Sequence, residues 1–594
     1  MNFSFLLNNA LEAAEFAQRI TVHSGVSTPK EIASLIQMGI DDGDLEAHTI
    51  GEGQNGRVYI ANCSSVKKGK AMSRLIRNDD RRRSMVPNGD LMGMELPEAY
   101  TSAVTYLSNQ WFRPNNLILE TGEKLAASGY FDEKKDQMEL LMLAEFKRFG
   151  VDPYRLPMFP DFRYRLYTDS RGVASYQGGD WHRAVCDFAS PLACDEKAID
   201  LALRAIADEY KVTEGNYRDI LADPVAFIRE SGFKKPACSL RAAEAIRELV
   251  EAGTSAYILQ FDQTNSGAAI YAWLTGDKNL ARLTNWLPSE VRQDLYNAAC
   301  QLVKAGRLLP EEVLNVEIFY DRSTGKLFIV PMMYGAANES LTRSLVLADP
   351  QKDRVQLTDE IGMYIPGSIE GLPDDRLNST HAEFFKNLSV DKGWDHAIAV
   401  ASDIAKAFEL AIYGDAKSGI TGLTSRLRPA MTGIKKAARI AAQEGRILEW
   451  TTPTGLTVTN RSVTVDASGK MQFLKFVDQD GKKREVSFLP VKQVSNESAA
   501  PPNVVHSLDA DIVISTANEA REMKMPLAPI FDSFGTHVAH GPQVLSMVKR
   551  AILRIPPNFL NDQIFLPQGM KEMPIRPLPV KEFMKAQHLL GIAP

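Results

Sequence analysis

The sequence has little of what a secreted or membrane-spanning protein needs. Its five cysteines among 594 residues are an odd number and lack the spacing of metal ligands. No uninterrupted apolar run reaches the roughly 18 residues of a membrane helix. The opening stretch, Met1 to Leu7, lacks the basic start and the cleavage site of a signal peptide. We therefore expect reduced thiols, a cytosolic compartment and no association with a membrane.

An excess of positive charge is also missing. The chain carries 68 Lys and Arg residues against 74 Asp and Glu residues, a net charge of −6 at pH 7. Strong binders of duplex DNA are usually basic, although a basic channel can lie inside an acidic surface. The charge therefore predicts modest affinity for free DNA and help from a partner.

The length and the residue pattern predict several domains of mainly helical structure. With 44% hydrophobic and 24% charged residues, the composition is that of a globular protein, and 594 residues suggest roughly three or four domains or subdomains. Neither an internal repeat nor a low-complexity segment occurs in the sequence. Periodicity predicts helices over 9–20, 132–150, 195–249, 321–345 (with a kink at Pro331), 397–446 and 504–523, and strands or turns over 155–190, 257–261 and 450–493.

Two cations and a phenol follow one another at helical spacing. Arg322 and Lys326 are four residues apart, and Tyr334 lies eight residues further on, a little over two turns. Such a face suits a triphosphate lying along a helix, with the ring near the sugar and the base. Taken alone, the segment fits better a half-exposed helix with solvated charges and a core tyrosine.

Two aspartates flank this helix in the sequence, and each follows an apolar, strand-like run. Asp262 ends the run Ile258 to Phe261, and Asp532 follows Ile530 and Phe531. A carboxylate at the end of a buried strand is costly unless a cation or hydrogen-bond donors satisfy it. Either aspartate alone fits an Asx turn or a helix cap. Together with the cationic helix, they predict a pair of Mg²⁺ ions about 3.5–4 Å apart and nucleotidyl transfer.

These segments occur in an order that resembles the bacteriophage-type single-subunit DNA-directed RNA polymerases, which share a right-hand fold with family A DNA polymerases. The resemblance covers roughly 105–594. In chain order its motifs are Gln110-Trp-Phe-Arg-Pro-Asn115 (the weakest), Asp262-Gln-Thr-Asn-Ser-Gly267, Arg322-Ser-Thr-Gly-Lys326 with Tyr334-Gly335, Trp450-Thr-Thr-Pro-Thr-Gly455, Pro502-Asn-Val-Val-His-Ser507 and Asp532-Ser-Phe-Gly-Thr536.

The resemblance implies a role for each motif residue. Asp262, Asp532 and the carbonyl of Gln263 would bind the two Mg²⁺ ions. Lys326 would contact the triphosphate and act as an acid toward pyrophosphate. Further implied contacts to the nucleotide are phosphate binding by Arg322, hydrogen bonds from Tyr334 and His506 near the ribose 2′-hydroxyl, and space for that hydroxyl at Ser266 and Gly267.

The chain departs from the family pattern at three places. The Asp-x-Arg-Gly-Arg element appears as Asp169 to Val173 without its last arginine, so Arg171 either contacts the nascent hybrid or only braces Asp169. The stretch Gly178-Gly-Asp-Trp-His-Arg183 resembles the family's Gly-x-Asp-x-x-Lys element with arginine at the lysine position, so Arg183 is a candidate phosphate contact. The histidine that usually precedes the last catalytic aspartate is Phe531, which could alter the handling of the primer terminus.

The implied fold class is α+β and mainly helical, a right-hand polymerase with thumb, palm and fingers and an inserted β-hairpin. The expected domains are a short N-terminal region (1–95), a thumb-like helical segment (96–154), the first part of the palm (155–310), the fingers (311–449), a β insertion resembling the specificity hairpin (450–500), and the second part of the palm with the C-terminus (501–594). The N-terminal region is far shorter than in the large phage enzymes, where the corresponding part reads and opens duplex promoters. We therefore expect this chain to need an opened template.

The implied function is DNA-directed RNA polymerase, copying opened or single-stranded DNA into RNA from ribonucleoside triphosphates. An accessory protein, such as a single-stranded-DNA-binding protein, is an expected partner. The expected place of action is the cytoplasm of an infected bacterial host, or the virion. Two alternatives stay open: a family A-like DNA polymerase or primase, and a catalytically silent relative that binds single-stranded DNA.

Overall fold

The computed structural model describes residues 11–12, 29–41, 45–50, 57–62, 96–133, 135–161, 163–168, 174–347, 381–465, 472–488, 491–495, 497–586 and 588–589. The chain divides into two compact units. Unit 1 comprises 1–262, 444–496 and 507–555, and unit 2 comprises 263–443, 497–506 and 556–594. Across the described residues, no helix combines the length and the apolar character needed to cross a membrane.

Helices dominate both units, as the sequence predicts. In chain order they are α1 (Pro29–Asp41), α2 (Glu98–Ser108), α3 (Asn116–Ala127), α4 (Gln137–Phe149), α5 (Asp180–Val185), α6 (Glu196–Tyr210), α7 (Tyr217–Ala222), α8 (Pro224–Glu230), α9 (Pro236–Ala252), α10 (Ser266–Thr275), α11 (Lys278–Leu283), α12 (Leu295–Ala305), α13 (Arg322–Met333), α14 (Asn338–Val346), α15 (Ala382–Lys392), α16 (Trp394–Tyr413), α17 (Leu427–Gln443), α18 (Ala500–Glu522), α19 (Gly541–Leu553) and α20 (Val580–Phe583).

The strands form small sheets of two or three members. They are β1 (Leu11–Glu12), β2 (Leu45–Ile50), β3 (Arg57–Asn62), β4 (Trp111–Pro114), β5 (Tyr154–Arg155), β6 (Met158–Pro160), β7 (Leu166–Thr168), β8 (Cys186–Phe188), β9 (Leu192–Ala193), β10 (Thr254–Ser255), β11 (Ile258–Asp262), β12 (Glu449–Thr451), β13 (Thr457–Thr459), β14 (Arg461–Val465), β15 (Gln472–Val477), β16 (Lys483–Phe488), β17 (Val491–Ser495), β18 (Leu527–Ile530) and β19 (Ser533–His537).

The sheet that carries both motif aspartates lies in unit 1 and has the strand order β11-β19-β18. β11 contains Ile258 and Phe261, which are residue types favoured in strands, and Leu259 and Phe261 are buried. β19 pairs antiparallel with β11 and with β18. Gly535 is required where the strands approach closely, because a Cβ there would lie 2.6 Å from the backbone carbonyl oxygen of Ala528 on β18. The predicted strand over 257–261 is confirmed, with bounds one residue later.

A buried network of charges joins several elements of unit 1. Arg241 on α9 is 1% exposed and its Nε donates to Asp187 on β8 at 2.9 Å. The amide of Asn115, which caps α3, donates to Asp187 and to Glu244. Glu248 takes a further hydrogen bond from Arg241 at 3.2 Å. Since a buried charge is costly unless it is paired, this network fixes how α3, α9 and β8 meet.

The predicted β insertion, a hairpin or small sheet, consists of two-stranded antiparallel pairs. β14 pairs with β17, and the hairpin of β15 and β16 lies between them in the chain. β12 and β13 form a separate pair just before them. The predicted turn at Asp478 to Gly481 is confirmed, and Gly481 has a φ of 76°. The other predicted turn, over 467–470, lies outside the described residues.

In unit 2 the cationic helix α13 packs against α12 and α16. Gly325 permits the close approach to α12, because a Cβ there would lie 2.7 Å from Sγ of Cys300. Thr324 donates its hydroxyl to the carbonyl of Ile318 at 2.8 Å and lies 2.9 Å from Nε2 of the buried His381. One side of α13, which includes Thr324, Gly325 and Phe328, is therefore buried, whereas Arg322 and Lys326 are exposed.

Several predicted boundaries are wrong. The helix predicted over 321–345 is two helices, α13 and α14. The first ends at Met333 because Gly335 adopts a φ of 75° and the amides of Gly335 and Ala336 donate back to the carbonyls of Met332 and Pro331. The region 397–446 is likewise broken between α16 and α17. The predicted helix from 132 begins at Gln137. The region 155–190 contains the unpredicted helix α5, and within 9–20 the described residues 11–12 form a strand rather than a helix.

Candidate active site

The two motif aspartates lie at the same edge of the β11-β19-β18 sheet. Asp262 is the last residue of β11 and is paired in register with Ser533. Asp532 immediately precedes Ser533, in the two-residue loop that joins β18 to β19. Since neighbouring strands lie about 4.8 Å apart, the two carboxylates belong to adjacent backbone positions. Asp262 is exposed and Asp532 is partly exposed, so the edge is open to a ligand.

The loop that carries Asp532 is held in an uncommon conformation. Phe531 has a φ of 54°, in the left-handed region that favours glycine. Its ring packs edge-on against Tyr167 with centroids 5.2 Å apart, and the guanidinium of Arg165 lies 5.2 Å from its centroid. Arg165 in turn pairs with the buried Asp509 at 2.6 Å. Aromatic and cationic contacts therefore hold Phe531 and, with it, the position of Asp532.

The cations of α13 lie at the surface of unit 2. Lys326 and Arg322 are both exposed, as the spacing of four residues predicts for one helix face. Nε of Arg322 donates to Asp294 at 2.5 Å, and its guanidinium lies 5.0 Å from the centroid of Tyr296. Asp294 also caps α12 through its other carboxylate oxygen. Arg322 is thus held by α12, while the amine of Lys326 is the more open of the two charges.

Tyr334, His506 and Gly267 meet in unit 2. Tyr334 follows the last residue of α13 and is half-buried. Its ring centroid lies 4.9 Å from that of His506 on α18. A Cβ on Gly267, near the start of α10, would lie 3.3 Å from the Tyr334 hydroxyl. The three motif residues therefore form one cluster, in which a larger side chain at position 267 would press on the tyrosine.

Comparison with known proteins supports the same family. Residues 375–558 match the family model described as DNA-dependent RNA polymerase. Similar proteins are two mitochondrial DNA-directed RNA polymerases, from Neurospora crassa (24% identical over 313 residues, 50% of this chain and 21% of that protein) and Schizosaccharomyces pombe (24% over 338 residues, 56% and 26%). DNA-directed RNA polymerase 2A of Nicotiana tabacum is 32% identical over 142 residues, 23% of this chain and 41% of that protein.

The resemblance to the phage-type single-subunit RNA polymerases is confirmed. The matched region contains His506 and Asp532, whereas Asp262 and Lys326 lie before it in the chain. The chain spans only 21% to 41% of the length of these polymerase relatives.

The sheet edge suits the metal that the polymerase family implies. Mg²⁺ is usually bound by one or two carboxylates together with water and substrate phosphates, rather than by a closed protein cage. Within the residues that the structure describes, His, Cys, Asp and Glu side chains form no cluster of three or more that would enclose a metal ion. The partly open pair of Asp262 and Asp532 is the arrangement such a shared ion needs, with Gln263 directly next in the chain.

The structure describes one of the two arginines predicted from the polymerase motifs. Arg183 on α5 donates from Nε to the carbonyl of Gly178 at 2.8 Å and lines a pocket of unit 1 together with Arg241 and Tyr257. This position gives it a structural contact, and its role toward phosphate stays a prediction. Arg171, together with the rest of 169–173, lies outside the described residues.

Three residues that support the polymerase motifs, Asp511, Arg165 and Asp509, were not predicted from the sequence. Trp450 donates from its indole to Ser507 at 2.9 Å, and Thr454 binds the buried Asp511 through both its backbone amide and its hydroxyl. These bonds attach the Trp-x-Thr-Pro-x-Gly loop to α18. The alternation of Arg163, Arg165 and Tyr167 could have indicated one face of a strand, but no local pattern reveals that Arg165 pairs with Asp509, 344 residues away.

Proposed function

We propose that this chain is a DNA-directed RNA polymerase that adds ribonucleotides to RNA on a DNA template by a two-metal mechanism. The observation that carries the proposal is the register of β11 and β19, which brings Asp262 and Asp532 to one open sheet edge. The cluster of Tyr334, His506 and Gly267 and the exposed Lys326 support it independently. The confirmed family resemblance supplies the substrate class, because the similar proteins are named DNA-directed RNA polymerases.

In the proposed reaction the 3′-hydroxyl of the RNA loses its proton to water, its oxygen forms a bond to the α-phosphorus of a nucleoside triphosphate, and the bond to pyrophosphate breaks. Asp262, Asp532 and the carbonyl of Gln263 would hold two Mg²⁺ ions, which when bound lower the pKa of the attacking hydroxyl and neutralise phosphate charge. Lys326 contacts the triphosphate and donates its proton to the departing pyrophosphate oxygen. Arg322, already held by Asp294 and Tyr296, supports the phosphate charge.

Sugar selection belongs to the cluster in unit 2. The Tyr334 hydroxyl and His506 would form hydrogen bonds near the ribose 2′-hydroxyl. Gly267 keeps that space free, since even a methyl group there would lie 3.3 Å from the tyrosine oxygen. A site that hydrogen-bonds a substrate hydroxyl rejects the analogue that lacks it, because a buried polar group is otherwise left without a partner.

The finer architecture and the setting are parts of the same proposal. We assign 96–154 to the thumb, 155–310 and 501–594 to the palm, 311–449 to the fingers and 450–500 to the specificity-hairpin-like insertion. The template is opened or single-stranded DNA, delivered by an accessory protein. The place of action is an infected bacterial cell or the virion, which mass spectrometry of purified virions and infected-cell extracts would test.

Transcription on matched templates tests the function. Purified protein with Mg²⁺ is given ribo- or deoxynucleotides on the same sequence as single strand, pre-melted duplex and closed duplex. The proposal predicts RNA of template-encoded sequence from the first two. Products made only from deoxynucleotides would identify a DNA polymerase, and DNA binding without any synthesis would identify a catalytically silent relative.

A further inference from the structure

The N-terminal segment and the distant β insertion share one apolar core in unit 1. Ile32, Ile36 and Ile40 are buried and recur every four residues along α1, so they form a single stripe. α1 packs on β15, a strand more than 400 residues later in the chain, and on β2. The side chains of Leu45 and Ala47 on β2 are buried as well. The helix therefore completes its apolar packing with a strand of the insertion.

The hairpin of β15 and β16 contributes one of its faces to this core. Leu474 and Phe476 are buried, whereas Phe473 and Lys475 between and beside them are exposed. This alternation is the period of a strand with one covered face. On β16, Val486 is buried opposite Leu474. Two strands alone are marginally stable in water, so the hairpin depends on the helix that covers it.

Two glutamines join the segments by paired hydrogen bonds. Oε1 of Gln37 accepts from the amide of Val477 at 2.8 Å, and its Nε2 donates to the carbonyl of the same residue at 3.2 Å. In the opposite direction, Oε1 of Gln479 accepts from the amide of Ala47 at 2.8 Å and its Nε2 donates to the carbonyl of Ala47 at 3.1 Å. Each side chain thus bonds a backbone residue as a neighbouring strand would.

The geometry of these hydrogen bonds fixes the register of the hairpin against α1 and β2. An apolar contact tolerates sliding, because the hydrophobic effect has no direction. A glutamine that both donates to and accepts from one residue allows a single register. The two glutamines lie on different partners, one on α1 and one in the turn after β15, so they oppose sliding in both directions.

The outer face of the hairpin is exposed to solvent, whereas its inner face is buried. Phe473 is 54% exposed. Lys475, opposite Glu485 in register, pairs with it at 3.2 Å, and Lys483 lies opposite Val477. An exposed aromatic ring beside lysines is the combination that binds separated nucleic-acid strands by stacking and charge.

We propose that α1 and β2 (29–41 and 45–50) are a brace that sets the position of the β15–β16 hairpin against template DNA, with Gln37 and Gln479 as the positioning residues. This inference rests on the proposed function in one respect, that DNA is the ligand. It assigns the N-terminal segment to the choice of template sequence, and not to the addition of nucleotides. Loosening the brace reduces sequence preference while the chemistry on a primed template continues.

The test compares Gln37→Ala, Gln479→Ala and the double variant with wild type in the full chain. Met38→Ala is the matched control, because Met38 is 49% exposed on the same helix and lies next to Gln37. Hydrogen exchange is measured at the amides of Val477 and Ala47. Sequence preference is measured by sequencing the DNA that binds from a library of duplexes with a randomised, pre-melted segment. Extension of an RNA primer on a DNA template is measured separately.

Each alanine variant should accelerate exchange of its partner amide by about fivefold, the factor that one ordinary hydrogen bond represents. The double variant should lose sequence preference by a similar factor or more, with primer extension within about twofold of wild type. Met38→Ala should change neither. Should the double variant fail to fold, Gln479→Glu, which keeps the acceptor and removes the donor, should give an intermediate effect.

Two results from the variants would overturn the inference: unchanged amide exchange in the glutamine variants, or faster exchange with full sequence preference. Absence of sequence preference in wild type would also overturn it. Failure of the proposed function gives a different result, because wild type would then not extend the primer while the binding selection could still be read.

Discussion

At the scale of single residues, the candidate site depends on side chains whose surroundings differ sharply. Asp262 and Lys326 are exposed, whereas Tyr334 and His506 are half-buried beside each other. The motif pattern identified all four residues as candidates for the site. It did not predict that Arg322 would be held by Asp294, since an aspartate before a helix indicates only a cap, and Asp294 performs both tasks.

Replacing Tyr334 with phenylalanine should lower sugar discrimination more than it lowers rate. The ring and its contact with His506 remain, while the hydroxyl that would face the ribose is lost. We expect the preference for ribo- over deoxynucleotides to fall by about tenfold, the scale of one lost hydrogen bond to a buried group. Competition between the two nucleotide classes measures it. Tyr413→Phe is the control, because its hydroxyl donates to Met332 at 3.1 Å; an equal loss there would remove Tyr334 as the selector.

Lys326→Ala should slow nucleotide addition by a factor on the order of 10² to 10⁴, as expected for loss of a general acid. Lys326→Arg should recover nucleotide binding but not the rate, because a guanidinium scarcely gives up its proton. Pre-steady-state addition of one nucleotide separates the two effects. Lys406→Ala, an exposed lysine paired with Asp403, is the control. Full recovery by arginine would leave Lys326 an electrostatic role only.

At the scale of elements, the sequence predicts what local pattern controls and misses what depends on distant contacts. β11, α18 and the Asp478–Gly481 turn have strong local signals and were predicted. The end of α13 is set by Gly335, with a φ of 75°, whereas the sequence prediction considered only a kink at Pro331. The pairing of α1 with β15 was not predicted, because no periodicity carries information across more than 400 residues.

Acid should destabilise the buried support of α13. His381 is 2% exposed, stacks on Phe319 with ring centroids 5.3 Å apart, and has its pKa lowered to about 4 by desolvation. The Thr324 hydroxyl already donates to Ile318, so Nε2 of the neutral ring donates to Thr324. In the unfolded chain the ring takes up a proton near pH 6.5, whereas the folded protein resists until about pH 4.

Stability that is present above about pH 6.5 should therefore fall as the pH drops toward 4, by roughly 3 kcal/mol at most for this group. Urea unfolding at several pH values, followed by a probe in unit 2, measures the fall. His381→Phe keeps the aromatic stack and removes the titrating ring, so its stability should change less over this range. An equal slope in the variant would show that other groups cause the acid sensitivity.

At the scale of the whole molecule, the two candidate metal-binding aspartates come from segments far apart in the sequence. Asp262 and Asp532 are 270 residues apart and meet through the pairing of β11 with β19, which spans 273 residues at Gln260 and Ser533. The ordered motifs made this meeting predictable through the family resemblance, whereas composition did not: a net charge of −6 alone would have argued against a nucleic-acid enzyme.

The most direct test of the account is single-nucleotide addition to an RNA primer on a DNA template by wild type, Asp262→Asn and Asp532→Asn. Asn keeps the size of each side chain and removes the charge that would bind Mg²⁺. Asp200→Asn, an exposed aspartate of unit 1 paired with Arg204, is the control. Circular dichroism and template binding confirm that each variant is folded.

The account predicts Mg²⁺-dependent addition by wild type and by Asp200→Asn, and loss of addition in both site variants. That loss follows because stabilisation of transition-state charge by the metal is worth several kcal/mol. Addition at near wild-type rate by either folded site variant would contradict the assignment of the sheet edge as the metal site and, with it, the proposed mechanism.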